Sequence, residues 1–245
     1  MYFTRFAYTL EPMTNQELDT LIERWRPGFQ NVGGRMKRLL RAAIAPGATV
    51  LDVGCGRETF YGEAYAAAGR VVGVDHDEYA TENPLMQAVY ITKDDTLPFG
   101  DAEFDVVTCQ WVMEYVEHPE TFAREIARVL KPGGRFVFMT PNARSPFVIA
   151  TRALPLFLKR FLRSVFLDFA EDETFPTFYR LNSPEQIERT FGAAGLTREE
   201  LQSIDCYDYF RFSRLAVLFS LAFYASINKI APGREHHLAG DFVKR

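Results

Sequence analysis

Apolar residues recur at helical spacing in the first part of the chain. Over Asn15–Trp25, Leu18, Leu21, Ile22 and Trp25 share one face, and Pro27-Gly28 ends the run. A second helix is predicted over Gly34–Ile44, with Met36, Leu39, Leu40 and Ala43 inward and Lys37, Arg38 and Arg41 between them, stopped by Pro46-Gly47. The pattern then switches to short apolar runs alternating with amphipathic stretches. Strands are predicted at Thr49–Val53, Arg70–Asp75, Ala88–Ile91, Phe104–Cys109 and Arg135–Thr140, and helices at Thr59–Ala68 and Glu120–Leu130. Strands that are apolar throughout and separated by helices imply a parallel sheet covered on both faces.

Beyond Pro141 the pattern loosens. Phe147–Phe169 mixes apolar and basic residues and is interrupted by Pro155. Ser183-Pro184-Glu185 opens a helix with a capping serine and a proline in the first turn, ending near Gly195. Leu196–Ile204 reads as a strand, Phe212–Ile227 as a helix and Leu238–Val243 as the closing edge strand. This divides the chain into an N-terminal helical cap (1–45), an α/β core (46–142), a helical insertion (143–182) and a C-terminal completion of the core with an apolar helix (183–245).

Bulk properties narrow the function. At 245 residues the chain can bury a core without disulfides or metal. Its three cysteines, Cys55, Cys109 and Cys206, are too scattered for a disulfide framework or a zinc site, so no metal is expected. The net charge of −4 argues against nucleic acid as a partner. The apolar stretch Leu215–Ile227 is short of the ~20 residues a membrane-spanning helix needs, and no secretory signal pattern opens the chain. A cytoplasmic location is expected.

The chemistry concentrates at Val50-Leu51-Asp52-Val53-Gly54-Cys55-Gly56, a tight turn directly after a buried strand. Glycines at 54 and 56 let the backbone reverse, and unused N–H groups of such a turn could hold a carboxylate or phosphate. Asp75 follows at the end of the next strand, where a carboxylate can accept both hydroxyls of a ribose. The segment Lys93-Asp94-Asp95-Thr96-Leu97-Pro98-Phe99 comes after the third strand, where an acceptor could receive the amino group of adenine. A dinucleotide would explain part of this. However, Asp52 would repel a pyrophosphate and suits an ammonium and a sulfonium, and the third glycine of the dinucleotide fingerprint is replaced by Thr59.

From Thr49 to Asn142 the sequence resembles the class I S-adenosylmethionine-dependent methyltransferases, especially their small-molecule branch. Val50–Gly56 matches the family's first motif and Val72-Gly73-Val74-Asp75 its acidic second-strand motif. Leu97-Pro98-Phe99, Phe104-Asp105-Val106-Val107 and Leu130-Lys131-Pro132-Gly133-Gly134 match three further landmarks in order. The resemblance implies a Rossmann-like, doubly wound fold: a mostly parallel seven-stranded sheet with helices on both faces and an antiparallel edge strand. It implies S-adenosyl-L-methionine as cofactor, with Asp52, Gly54, Cys55 and Gly56 around its methionine part. Asp75 and His76 would lie at the ribose, Asp94 or Asp95 at adenine, and Gln110 in the wall of the pocket. The sequence departs from the family at Glu58, where a small residue is common, and at Glu114-Tyr115, where a Glu-His pair is common.

The family resemblance assigns the acceptor to material outside the core. Phe147–Phe169, basic and aromatic, could admit a lipid-like small molecule or lie on a membrane surface, as could 212–230. Either could equally be a cap helix packed on the fold. Methyl transfer is an in-line displacement that needs alignment in a dry pocket, and a base only when the acceptor is protonated. Tyr115 and His118 are the base candidates, although His118 before Pro119 also reads as a polar residue opening a helix. Thr140-Pro141-Asn142 resembles several O-methylating relatives. The competing functions are a non-catalytic donor-binding or membrane-surface module and, further off, a dinucleotide-dependent oxidoreductase.

Overall fold

The computed structural model describes residues 13–94, 96–153 and 176–245. Asp95 and the part of the basic, apolar stretch from 154 onward therefore lie outside the described residues. The helices are α1 (Asn15–Trp25), α2 (Val32–Ala43), α3 (Gly62–Tyr65), α4 (Pro119–Val129), α5 (Pro146–Ala153), α6 (Pro184–Ala193) and α7 (Arg214–Ile230). The strands are β1 (Thr49–Val53), β2 (Arg70–Asp75), β3 (Ala88–Ile91), β4 (Phe104–Gln110), β5 (Leu130–Pro141), β6 (Leu196–Ile204) and β7 (His237–Lys244).

The seven strands form one sheet in the order β3-β2-β1-β4-β5-β7-β6. The first five are mutually parallel, and β7 runs antiparallel to both β5 and β6. This is the mostly parallel, Rossmann-like sheet expected, with one difference. The strand expected at the closing edge, β7, lies one place in, and β6 forms the edge. An inner strand is covered on both faces, and β7 is buried from His237 to Phe242 whereas β6 is buried only at its ends, Leu196 and Ile204. The charged Asp241 is tolerated there because Arg135 of β5 pairs with it.

Side chains alternate across the sheet, so each strand feeds two cores. Leu51, Val53, Val107, Phe136 and Phe138 pack with α4 and α6 on one face. Val50, Val106, Val137 and Met139 pack on the other with α2 and Tyr65 of α3. α1 instead joins α7 in a third cluster, Leu18, Leu21 and Ile22 against Val217, Leu221, Tyr224 and Tyr207. Both N-terminal helices are capped by side chains: Thr14 and Glu17 form a reciprocal capping box, and Asn31 accepts the N–H of Gly34.

The largest departure from the sequence reading is α3. The sequence predicts a helix over Thr59–Ala68, and only Gly62–Tyr65 is helical. Thr59, Phe60 and Tyr61 are weak helix formers, and Gly62 adds the entropy cost of glycine. The Glu58 side chain does not crowd the start of a helix, because it is exposed ahead of this short one. β5, in turn, begins five residues earlier than expected, with a register shift between Phe104 and Val106 that accommodates Pro132-Gly133-Gly134.

Candidate active site

The strand order reverses between β1 and β4, and the crevice at the carboxyl ends of these strands is where open α/β sheets bind ligands. The glycine turn, Asp75 and Gln110 all fall there. Asp52 shares a face of β1 with Val50, so it points toward α2 and α3, and it is buried. Its Oδ2 accepts the Tyr65 hydroxyl at 2.8 Å, and that hydroxyl oxygen accepts Gln110 Nε2 at 3.2 Å. Asp52 Oδ1 and Gln110 Oε1 are both buried without a hydrogen-bond partner. Burial raises the Asp52 pKa to about 7, opposed by the Tyr65 hydrogen bond and assisted by the charge of Asp75.

The turn itself is closed by the chain. Gly54 N–H donates to Val74 O at 2.8 Å, and Gly56 N–H donates to Asp75 Oδ2 at 2.9 Å. The expectation that these N–H groups are unused and available to a carboxylate or phosphate is therefore corrected. With its donors consumed and two carboxylates beside it, the turn offers no nest for a pyrophosphate. Asp75 Oδ1 accepts Asp77 N–H at 3.0 Å, so each carboxylate oxygen makes one bond and retains a lone pair for a second donor.

Gly54 and Gly56 both have positive φ but serve different ends. A Cβ on Gly54 would lie 2.1 Å from Val112 Cγ2, so that space is filled, whereas a Cβ on Gly56 would meet nothing within 4 Å. The open side of the turn is at Gly56. Gly54→Ala should lower stability by about 2–4 kcal/mol, combining left-handed backbone strain with overpacking. Adding Val112→Ala should restore only the packing part in a denaturant melt. Full rescue would mean that backbone strain contributes nothing.

The remaining candidates are spread more widely. The Cys55 side chain is buried and fills the space over Gly73, and burial pushes its thiol up to about 12, so its role beside the turn is packing. His76 and Asp94 are exposed, and Asp94 N–H donates to Thr92 Oγ1 at 3.1 Å. Tyr115 and His118 are also exposed, in the segment between β4 and α4. The structure brings Asp52, Gly54, Cys55, Gly56, Asp75 and Gln110 together and leaves His76, Asp94, Tyr115 and His118 exposed.

Further side chains surround the site: Asn83 and Trp111, which no sequence motif marks, and Glu114, Thr140 and Asn142, which the sequence marks without giving them contacts. Buried Asn83 donates to the carbonyls of Cys55 and Gly56, both at 3.0 Å, which locks the turn from the 3-10 turn Glu78–Glu82. Trp111, next to Gln110, has a left-handed backbone (φ 58°) and its ring meets His237 edge-on at 4.8 Å. A bulky residue in that conformation costs about 1–3 kcal/mol and is typical of functional positions. Glu114, buried after β4, accepts the Thr140 hydroxyl at 3.2 Å, and Asn182 donates to the same Thr140 oxygen at 2.6 Å. Burial raises the Glu114 pKa to about 7. Asn142 donates to the carbonyls of Gly233 and Glu235, so the Thr140-Pro141-Asn142 turn fastens the approach to β7.

Residues 51–138 match a family model described as a methyltransferase domain. Over 172 residues the chain is 31% identical to the ubiquinone biosynthesis O-methyltransferase of Thiobacillus denitrificans, covering 66% of this chain and 69% of that protein. The chain belongs to the class I S-adenosylmethionine-dependent methyltransferases. The enzyme of the same name from Coxiella burnetii is 33% identical over 117 residues, and there the chain spans 50% of the relative's length. Among solved structures, the geranyl diphosphate C-methyltransferase of Streptomyces coelicolor superposes with a TM-score of 0.58 at 16% identity, covering 96% of this chain and 86% of that one. That structure, which contains S-adenosyl-L-homocysteine, shares the fold with this methyltransferase. S-adenosylmethionine is the cofactor of this methyltransferase, and the residues at the crevice fit it. The orphaned Asp52 Oδ1, the second lone pairs of Asp75 and the open side of Gly56 offer acceptors and space for a cationic, ribose-bearing ligand.

Proposed function

We propose that this methyltransferase transfers the methyl group to a hydroxyl of a small, apolar acceptor. In this reading Asp75 accepts the ribose hydroxyls of the donor, with His76 beside it. Asp52 and Gln110 face the methionine part, where their unpartnered oxygens meet the ammonium, and Gly54, Cys55 and Gly56 shape the turn around it. Asp94 or Asp95 receives the adenine amino group. The observation that carries this reading is the buried Asp52–Tyr65–Gln110 chain, because its two acceptors without partners call for a donor, and the Asp52 carboxylate favours a cationic one.

The acceptor class is supported by the groups beyond Gln110. Trp111 and His237 meet edge-on, Tyr61 donates to Met139 Sδ at 3.5 Å, and Phe147 lies 4.6 Å from the His236 ring. The methylated oxygen is supported by the relatives named as O-methyltransferases. Removal of the hydroxyl proton then needs a base. Glu114, buried and raised to about 7, fits that task better than the exposed Tyr115 or His118. Transfer of labelled methyl should therefore occur to phenolic, apolar acceptors and fail when the hydroxyl is already methylated. The turnover rate should rise with pH with a midpoint near 7, and Glu114→Gln should remove that inflection while leaving donor affinity within about twofold. Transfer to a carbon of the blocked acceptor would overturn the O-methylation reading. An unchanged pH profile in Glu114→Gln would return Tyr115 and His118 to consideration.

A further inference from the structure

α7 is apolar on both sides, and among the described residues only one side packs on the fold. Val217, Ser220, Leu221 and Tyr224 face α1 and Tyr207. On the opposite side Leu215, Phe219 and Ile230 are 77%, 70% and 83% exposed, and Phe223 is exposed beside Phe219, their rings stacked at 6.2 Å. At about 100° per residue these four positions fall within a sector of roughly 80°, forming a stripe about 23 Å long. Such a stripe is larger than the scattered apolar side chains that any surface carries.

The charges around the stripe select its occupant. From 209 to 234 the chain has no Asp or Glu and four basic residues, Arg211, Arg214, Lys229 and Arg234, within a protein of net charge −4. Arg211 is tied to Met13 O, while Arg214, Lys229 and Arg234 are exposed. A second copy docked stripe to stripe would set Arg214 against Lys229 in the antiparallel arrangement and against Arg214 in the parallel one, and both repel. An anionic surface with an apolar interior complements the stripe and its rim together. We propose that α7 lies in the surface of an anionic phospholipid bilayer, its outer stripe sunk at the headgroup boundary and Arg214, Lys229 and Arg234 at the phosphates.

This is an interfacial arrangement, since no helix among the described residues is long and apolar enough to cross a membrane. It would also fix the orientation of the site. Tyr224 on the inner face of α7 shares a hydrogen bond of 2.9 Å with His236 Nδ1, and the adjacent His237 pairs with Pro141 at the carboxyl end of β5. The bilayer would therefore lie next to the carboxyl edge of the sheet, and an apolar acceptor could pass from lipid to the site. That consequence rests on the proposed acceptor, whereas the docking itself does not.

Flotation of the full chain with vesicles tests the docking. Wild type should float with vesicles of phosphatidylcholine and phosphatidylglycerol and bind at least tenfold less to phosphatidylcholine alone, given the contribution of each basic residue near an anionic surface. Leu215→Ser with Phe219→Ser should reduce binding to the mixed vesicles at least tenfold. Titration with S-adenosylhomocysteine on the same variant reports separately that the donor site is folded. Phe219→Trp, which retains the stripe, should show blue-shifted emission with mixed vesicles and quenching by brominated lipid. Absence of flotation with mixed vesicles, equal flotation of the double serine variant, or indole emission from the Phe219→Trp variant that is indifferent to vesicles would each overturn the proposal. So would a dimer in solution that the double serine variant dissociates, since the stripe would then be an interface between copies.

Discussion

Asp75→Ala should lose at least a hundredfold in affinity for S-adenosylhomocysteine, to the limit of detection in calorimetric titration. The size follows from the two functions of this carboxylate. It accepts Gly56 N–H at 2.9 Å and Asp77 N–H at 3.0 Å, so removing it releases both ends of the loop that frames the site and strands two partly buried donors. Under the proposed contacts it also accepts the ribose hydroxyls. Hydrogen bonds to a charged group contribute about 1.5–3 kcal/mol each, so losing the ribose contacts alone reaches a hundredfold. Asp75→Asn separates the two functions. An amide retains one carbonyl acceptor but presents N–H to the other donor, so one clamp remains, and a loss nearer tenfold is expected. Affinity of Asp75→Ala within threefold of wild type would show that the ribose is held elsewhere.

What the sequence discloses here is what a local pattern can encode. The runs Thr49–Val53 and Arg70–Asp75 are marked off by Gly54 and Gly69, and these two strands and Ala88–Ile91 all have the predicted limits. The glycine turn and Asp75 are likewise legible, because a tight turn after a buried strand followed by an acidic strand end is a contiguous signal. Other features depend on partners far along the chain. Nothing near His237–Lys244 indicates that β7 inserts between β5 and β6, since a strand's place in a sheet is decided by packing across more than a hundred residues. Tyr65 falls within the expected helix Thr59–Ala68, and nothing near it in the sequence indicates that its hydroxyl donates to Asp52. Asn83 carries no motif, and its hold on Cys55 and Gly56 arises from the 3-10 turn that precedes it. Gly54 is legible as a glycine required by a turn, but Val112 as the side chain filling its missing Cβ is not.

Binding of the donor should release a proton, and Asp52 is the group expected to lose it. Burial holds the empty site's Asp52 near pKa 7, so at that pH about half of the molecules carry it neutral. An ammonium placed at the orphaned Oδ1 favours the carboxylate and pulls its pKa down. Titrations in buffers of different ionisation enthalpy should therefore report about half a proton released at pH 7, approaching one near pH 6 and none above pH 8. Affinity should fall as pH drops below 7, approaching tenfold per unit. Stability of the empty protein runs the other way. The folded pKa of Asp52 lies above the value of 3.8 for an unperturbed aspartate, so its contribution is fully present below that value and is lost as pH rises through 7. Glu114, raised from 4.5 to about 7, adds in the same direction. Glu125, held low by its hydrogen bonds from Arg128, opposes them only in more acidic solution. The empty protein should thus melt at a lower temperature at pH 8 than at pH 5.5, with the donor recovering more stability at pH 8. Asp52→Asn should abolish the proton release, weaken the donor by about tenfold or more through loss of the charge-assisted contact, and flatten part of the pH dependence of melting. Proton release unchanged in Asp52→Asn would assign the titration to another group and remove Asp52 from contact with the ammonium.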